Sequence, residues 1–159
     1  MAKVAIADTN VVSFFLKDEP LGVEYQRLLE GYDVHIAFVT VAELNYWAEK
    51  NAWGPRRRFR LRHILADLPV LPHRQGVSEA FARVRIQRER AGRRMATADA
   101  WIAATAISFD VPLATHDGDF LGTPGLRVIS VSQEVCLERD RSTAAHRALA
   151  LNQRCACGV

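Results

Sequence analysis

The sequence predicts an α/β fold: a mostly parallel central sheet of four to five strands with helices on both faces. Three observations carry this expectation. The strand-like runs Lys3–Ala7 and 34–39 are apolar apart from Lys3 and His35 and do not alternate, as in strands covered on both sides. Helical stretches with their own start and stop residues separate such runs, and strand–helix alternation favours parallel pairing through crossovers. The 159 residues fit one domain, long enough to bury about 70% of the surface of the unfolded chain.

The elements follow in order. Lys3–Ala7 is the first strand and ends on Asp8. A short helix is expected over 11–17, broken by Asp18-Glu19-Pro20, and Pro20 then sits early in a second helix that reaches about residue 30, with Gly31 as its stop. After the strand at 34–39, Thr40-Val41-Ala42-Glu43 has the spacing of a capping box, Thr40 as N-cap and Glu43 at the third position of a helix running to about Asn51. Gly54-Pro55 closes it. Residues 56–68 read as a helix with Phe59, Ile64, Leu65 and Leu68 inward and the arginines outward. Pro69-Val70-Leu71-Pro72 is too proline-bounded for anything but an edge strand. Ser78 is expected to cap a helix to about Ala91, marked by Phe81, Val84 and Ile86 and stopped by Gly92.

Thr97–Phe109 is the best-defined helix: alanines at 98, 100, 103, 104 and 106 allow close approach to a sheet, and Trp101, Ile102 and Ile107 supply bulk. A strand at 111–115, the turn-rich loop His116-Asp117-Gly118-Asp119-Phe120 and a last strand at 127–131 complete a domain spanning 1–132. Residues 133–159 read as a short amphipathic extension and a polar, partly mobile tail.

Composition narrows the setting. Cys136, Cys155 and Cys157 are an odd number without zinc-like spacing to histidines, which points to a reducing cytoplasm and makes Cys155 and Cys157 an incidental pair. No signal-peptide core follows Met1-Ala2-Lys3, and no apolar run approaches the ~20 residues needed to span a bilayer, so a soluble, unanchored chain is expected. Charge is uneven: residues 54–94 hold twelve Arg and no Lys against Asp67, Glu79 and Glu89, a net +9 that leaves −6 for the remainder. Such a segment suits a phosphate-bearing partner, with Arg56, Arg57 and Arg58 as candidate contacts, or else is a solvated arginine-rich helix face.

Four acids recur at equivalent places. Asp8 follows the first strand, Glu43 and Asp99 open helices, and Asp117 follows the short strand at 111–115. In a parallel sheet the carboxyl ends of strands and the amino ends of the following helices share one edge, so topology gathers these carboxylates. Their repulsion is relieved by a hard cation, and oxygen ligands suit Mg²⁺ or Mn²⁺. Taken singly, each has a structural explanation: Asp8 as an N-cap, Glu43 as half of a capping box, Asp99 as an acid on a helix dipole, Asp117 as a turn residue before glycine. His116 is a candidate substrate contact or an exposed loop residue, and Trp47, Trp53, Phe14 and Phe15 are candidates for a partner surface or for core.

Ile6-Ala7-Asp8-Thr9-Asn10, Val41-Ala42-Glu43-Leu44, Thr97-Ala98-Asp99-Ala100-Trp101-Ile102-Ala103-Ala104 and Leu113-Ala114-Thr115-His116-Asp117-Gly118-Asp119-Phe120 resemble, in order and spacing, the successive motifs of the PIN domain family, and the chain length is similar to that of its VapC-type toxins. The resemblance covers about residues 3–131. It implies a PIN-like three-layer α/β/α fold and a Mg²⁺-dependent endoribonuclease of a toxin–antitoxin pair, attacking RNA with metal-activated water. It further implies Asp8, Glu43, Asp99 and Asp117 as the catalytic, metal-binding acids, Asn10 and Thr115 as supporting residues, and Asp119 as a replacement for or supplement to Asp117. A homodimer and a cognate antitoxin are its implied partners. Two rivals remain: a catalytically silent PIN-like module that binds RNA or antitoxin, and a haloacid dehalogenase-type phosphatase. The phosphatase lacks its second acid, because Asn10 stands there, and a late lysine, because Lys3, Lys17 and Lys50 are the only ones.

Overall fold

A computed structural model describes residues 3–131. Five strands, β1 (Lys3–Ala7), β2 (Tyr32–Ala37), β3 (Val70–Leu71), β4 (Leu113–Ala114) and β5 (Val128–Ile129), form one sheet in the order β3-β2-β1-β4-β5. Every pairing is parallel. The chain winds from β1 outward through β2 to β3, then crosses back to add β4 and β5 on the other side. The order therefore reverses between β1 and β4, and a crevice opens there at the carboxyl ends of the strands.

Six helices cover the sheet: α1 (Thr9–Lys17), α2 (Pro20–Leu28), α3 (Phe38–Lys50), α4 (Pro55–Asp67), α5 (Gln75–Arg90) and α6 (Thr97–Phe109). The strand period of two sorts side chains between the layers. Ala5 and Ala7 face Val11, Val12, Leu16, Tyr25, Leu44 and Leu61, whereas Ile6 and Leu113 face Val84, Ala100, Ile102, Ala103 and Phe120. Burying each larger aliphatic side chain contributes about 1.5–3 kcal/mol, so these two layers hold the sheet centrally. In α6 the alanines at 100, 103, 104 and 106 are fully buried, which lets the helix lie close to the strands.

Several elements depart from the sequence expectation. Helix α1 begins at Thr9, two residues early, because Asp8 caps it by accepting from the Thr9 N–H. Helix α3 begins at Phe38, so the expected capping box is absent: Ala37 is the N-cap, and Glu43 lies in the second turn. Helix α5 begins at Gln75, and Ser78 lies inside it, where its hydroxyl meets His73 Nε2 at 2.9 Å rather than capping. On α4, Leu61 is the buried residue and Phe59 is exposed, although Ile64, Leu65 and Leu68 do pack inward. Ile86 on α5 is likewise exposed. Trp53 belongs to the core, with Trp47, Phe14 and Phe15 partly buried against it. The tail from 133 on, with Cys136, Cys155 and Cys157, lies outside the described residues.

Candidate active site

The crevice between β1 and β4 gathers the acids. Asp8 is 2% exposed, and both of its oxygens are engaged: Oδ1 accepts from the Thr9 N–H at 2.7 Å and Oδ2 from the Thr115 hydroxyl at 2.8 Å. The Asp8 N–H donates to Ala114 O at 2.9 Å, so the end of β1 is tied to the end of β4. Glu43, carried one turn into α3, accepts from the Thr9 hydroxyl at 2.7 Å through Oε2. Asp99 sits in the first turn of α6. The Asp117 N–H donates to Thr115 Oγ1 at 3.0 Å, and Asp117 Oδ1 accepts from the Asp119 N–H at 2.8 Å, capping the short 3-10 turn Gly118–Phe120.

The electrostatics are those of uncompensated carboxylates. Burial is the main reason that Asp8 is raised from 3.8 to about 6, opposed by its hydrogen bonds from Thr115 and Thr9 and assisted by the charges of Asp99 and Asp117. Burial also leads at Asp99, raised to about 6, with Asp117, Glu43 and Asp119 adding repulsion. Among the described residues none of these five acids has an ion pair with Lys, Arg or His. A cluster of this kind calls for a cation from outside the chain. No three His, Cys, Asp or Glu side chains among the described residues close on one point as a finished cage. Carboxylate oxygens are nonetheless the donors that a hard divalent cation takes.

The PIN domain family matches residues 5–126, which is most of the chain. The chain belongs to the PIN domain family. Within it, Ribonuclease VapC5 of Mycobacterium tuberculosis is 35% identical over 128 residues, covering 79% of this chain and 92% of that protein. Ribonuclease VapC4 of the same organism is 30% identical over 134 residues, covering 80% and 96%. A crystal structure of DNA-bound VapBC from Salmonella typhimurium superposes with a TM-score of 0.71 at 26% identity, over 82% of this chain and 98% of that one.

In this PIN domain of the VapC type, the residues named from sequence fall into distinct places. Asp8, Glu43, Asp99 and Asp117 lie within electrostatic or hydrogen-bond reach of the same crevice, and exposed Asp119 stands at its rim. Thr115 is the hub that joins Asp8 to Asp117. Asn10 is half-buried on the first turn of α1 and hydrogen-bonds none of the acids among the described residues. His116 is exposed, with its Nδ1 3.3 Å from the Tyr25 hydroxyl and its ring edge-on to Phe14. Arg56 and Arg57 are exposed on the first turn of α4, whereas Arg58 is engaged with Glu49 and the backbone.

Two residues escaped sequence reasoning. Thr9 fixes both Asp8, through its N–H, and Glu43, through its hydroxyl, and its place inside Asp8-Thr9-Asn10 was the available signal. Tyr25, fully buried on α2, donates to Thr115 O at 2.7 Å and so braces the hub from beneath. Nothing in the local sequence of α2 marks that contact, which spans 90 residues.

Proposed function

We propose that this chain is a metal-dependent endoribonuclease, the toxin of a toxin–antitoxin pair, which hydrolyses RNA phosphodiester bonds with water activated by Mg²⁺ or Mn²⁺. The observation that carries the reading is the cluster of acids around buried Asp8, without an ion-pair partner among the described residues, at the switch point of a VapC-type PIN domain. A phosphatase using Asp8 as nucleophile fits poorly, since both Asp8 oxygens are already held by Thr9 and Thr115.

Each residue has a task. Asp8 and Asp99 form the inner pair that holds the cation, Asp117 and Glu43 complete the negative wall, and Asp119 contributes charge at the rim. Thr9 and Thr115 fix the rotamers of Glu43 and Asp8, so the carboxylates are organised before the ligand arrives. A divalent cation, when bound, neutralises this wall, supplies activated water at neutral pH and stabilises the departing oxygen. Arg56 and Arg57 contribute phosphate attraction, and a co-expressed antitoxin restrains the activity. The protein works as a homodimer in the cytoplasm, and Phe38, Tyr46 and Phe59, large apolar side chains left exposed, offer contact surface for its partners.

The deciding experiment is RNA cleavage by purified protein with Mg²⁺, by the same protein in excess chelator, and by Asp99→Asn. Cleavage should vanish in the last two while the circular dichroism of Asp99→Asn matches that of the parent. The loss should exceed the roughly 10–100-fold typical of outer supporting residues. Undiminished cleavage in chelator would refute the metal-dependent reading.

A further inference from the structure

Helices α1 and α3 face each other through matching series. From the acids outward, α1 presents Thr9, Ser13 and Lys17, and α3 presents Glu43, Trp47 and Asn51, each one turn beyond the last. The first pair is joined by the Thr9–Glu43 hydrogen bond. Beyond it the helices frame a groove of about 370 Å³ lined by Ser13, Lys17, Trp47, Asn51, Trp53 and Arg57. Lys17 and Arg57 also line an adjoining hollow of about 560 Å³ with Leu16, Arg56 and Arg60. The two share Lys17 and Arg57 and form a trough that begins one helical turn beyond the Thr9–Glu43 pair and ends in cations about two helical turns, ~12 Å, from that pair.

The charges there are unequal. Lys17 pairs with Glu19 at 3.3 Å, Arg60 with Asp18, and Arg58 with Glu49. Arg56 and Arg57 have no acid partner among the described residues, and the guanidinium carbon of Arg57 stands 3.6 Å from the centre of the Trp53 ring, a cation–π contact. Trp47 is part-buried, packed against the core, and lines the groove. An aromatic wall followed by unpaired guanidinium groups is the chemistry that binds unstacked bases and backbone phosphates of a single strand.

We propose that the α1–α3 trough is a positioning subsite for single-stranded RNA, in which Trp47 stacks on a base and Arg57 takes a phosphate of the same strand whose bond to be cut lies at the acids. This rests on the ribonuclease reading above and adds to it where the strand runs and which residues hold it.

The test uses a short fluorescent single-stranded RNA, with affinity read by anisotropy across a salt series on the Asp99→Asn background. Arg57→Ala should weaken binding and lower the slope of log affinity against log salt by about 0.7, one phosphate on a single strand. Trp47→Ala should weaken it about tenfold, the scale of one lost base stack, and Trp47→Phe should recover most of the loss. In the cleaving parent, Arg57→Ala should raise KM with kcat held. Parental affinity and slope in both Arg57→Ala and Trp47→Ala would overturn the subsite, and loss of a co-expressed antitoxin without loss of RNA would assign the trough to that protein instead. Because anisotropy needs no turnover, failure of the subsite and failure of the ribonuclease reading are separable: the second would show as a parent that binds RNA through Arg57 but never cuts it.

Discussion

Thr115 Oγ1 donates its proton to Oδ2 of Asp8 at 2.8 Å, across 107 residues of sequence, and itself accepts the Asp117 N–H at 3.0 Å. One side chain thus ties together two acids that lie just beyond the ends of neighbouring strands β1 and β4. The bond also lowers the Asp8 pKa against the upward push of burial. Thr115→Val, which keeps the shape and removes the hydroxyl, should cost about 10–100-fold in cleavage. It should also move the acidic limb of the pH–rate profile upward, because Asp8 then ionises later. Thr115→Ser should keep both the rate and the limb near those of the parent. A Val variant with an unmoved acidic limb would show that this bond does not govern Asp8.

The positions of Asp8, Asp99 and Asp117 were legible from the chain because each follows or opens an element whose type is locally encoded: an unbroken apolar strand, an alanine-rich helix, a glycine turn. Their convergence then follows from parallel topology alone. Glu43 was legible as a site residue for the wrong local reason. Thr40 has the right chemistry for an N-cap, but tertiary packing starts α3 at Phe38, and Glu43 is held instead by Thr9 from another helix. Contacts of that kind, like Tyr25 with Thr115, have no local pattern to betray them. The basic segment was legible as charge but not as partition, since only the fold decides which arginines are spent on internal partners.

Arg58 shows that partition. Its Nε donates to Trp53 O at 2.8 Å, Nη2 to Ala48 O at 3.2 Å, and its two terminal nitrogens grip the Glu49 carboxylate at 2.5 and 3.1 Å. The guanidinium fork staples the end of α3 to the start of α4. Arg58→Ala should therefore lower the melting temperature and leave the salt slope of RNA binding unchanged, the reverse of Arg57→Ala. Arg58→Lys should rescue little, since an ammonium cannot reproduce the fork. Melting curves and salt titrations on the two variants side by side check this.

Gly22 fixes how closely α2 crosses α1. A Cβ there would stand 3.0 Å from Phe14 O and 3.1 Å from Phe14 C, both backbone atoms that cannot rotate away. Gly22→Ala, although favourable for helix propensity, should destabilise the fold by about 1–3 kcal/mol, the usual cost of overpacking. Equilibrium urea unfolding measures it, and a more stable variant would mean that the helices separate freely. Because α2 carries Tyr25, the same shift should loosen Thr115 and reduce cleavage as well.

The acid cluster makes stability depend on pH in a direction opposite to that of salt-bridged carboxylates. Asp8 and Asp99 titrate at about 6 in the folded chain rather than at 3.8, chiefly because burial strips them of water. Between those values the folded chain binds more protons than the unfolded one. Without divalent ions, stability should therefore fall as pH rises through this window and stay lower above it. On the metal-dependent reading proposed above, Mn²⁺ or Mg²⁺ takes the ionised acids, so it should restore what deprotonation removed. At 100 times its dissociation constant a ligand of the folded state contributes about 2.7 kcal/mol, enough for a melting shift of several degrees in a chain of this size. The shift should be large at about pH 8 and nearly absent at about pH 5, where protons hold the site. Asp99→Asn should melt higher than the parent at the upper pH without metal, having lost a repelled charge, and respond weakly to Mn²⁺. An equal Mn²⁺ shift at both pH values would place the ion somewhere other than on Asp8 and Asp99.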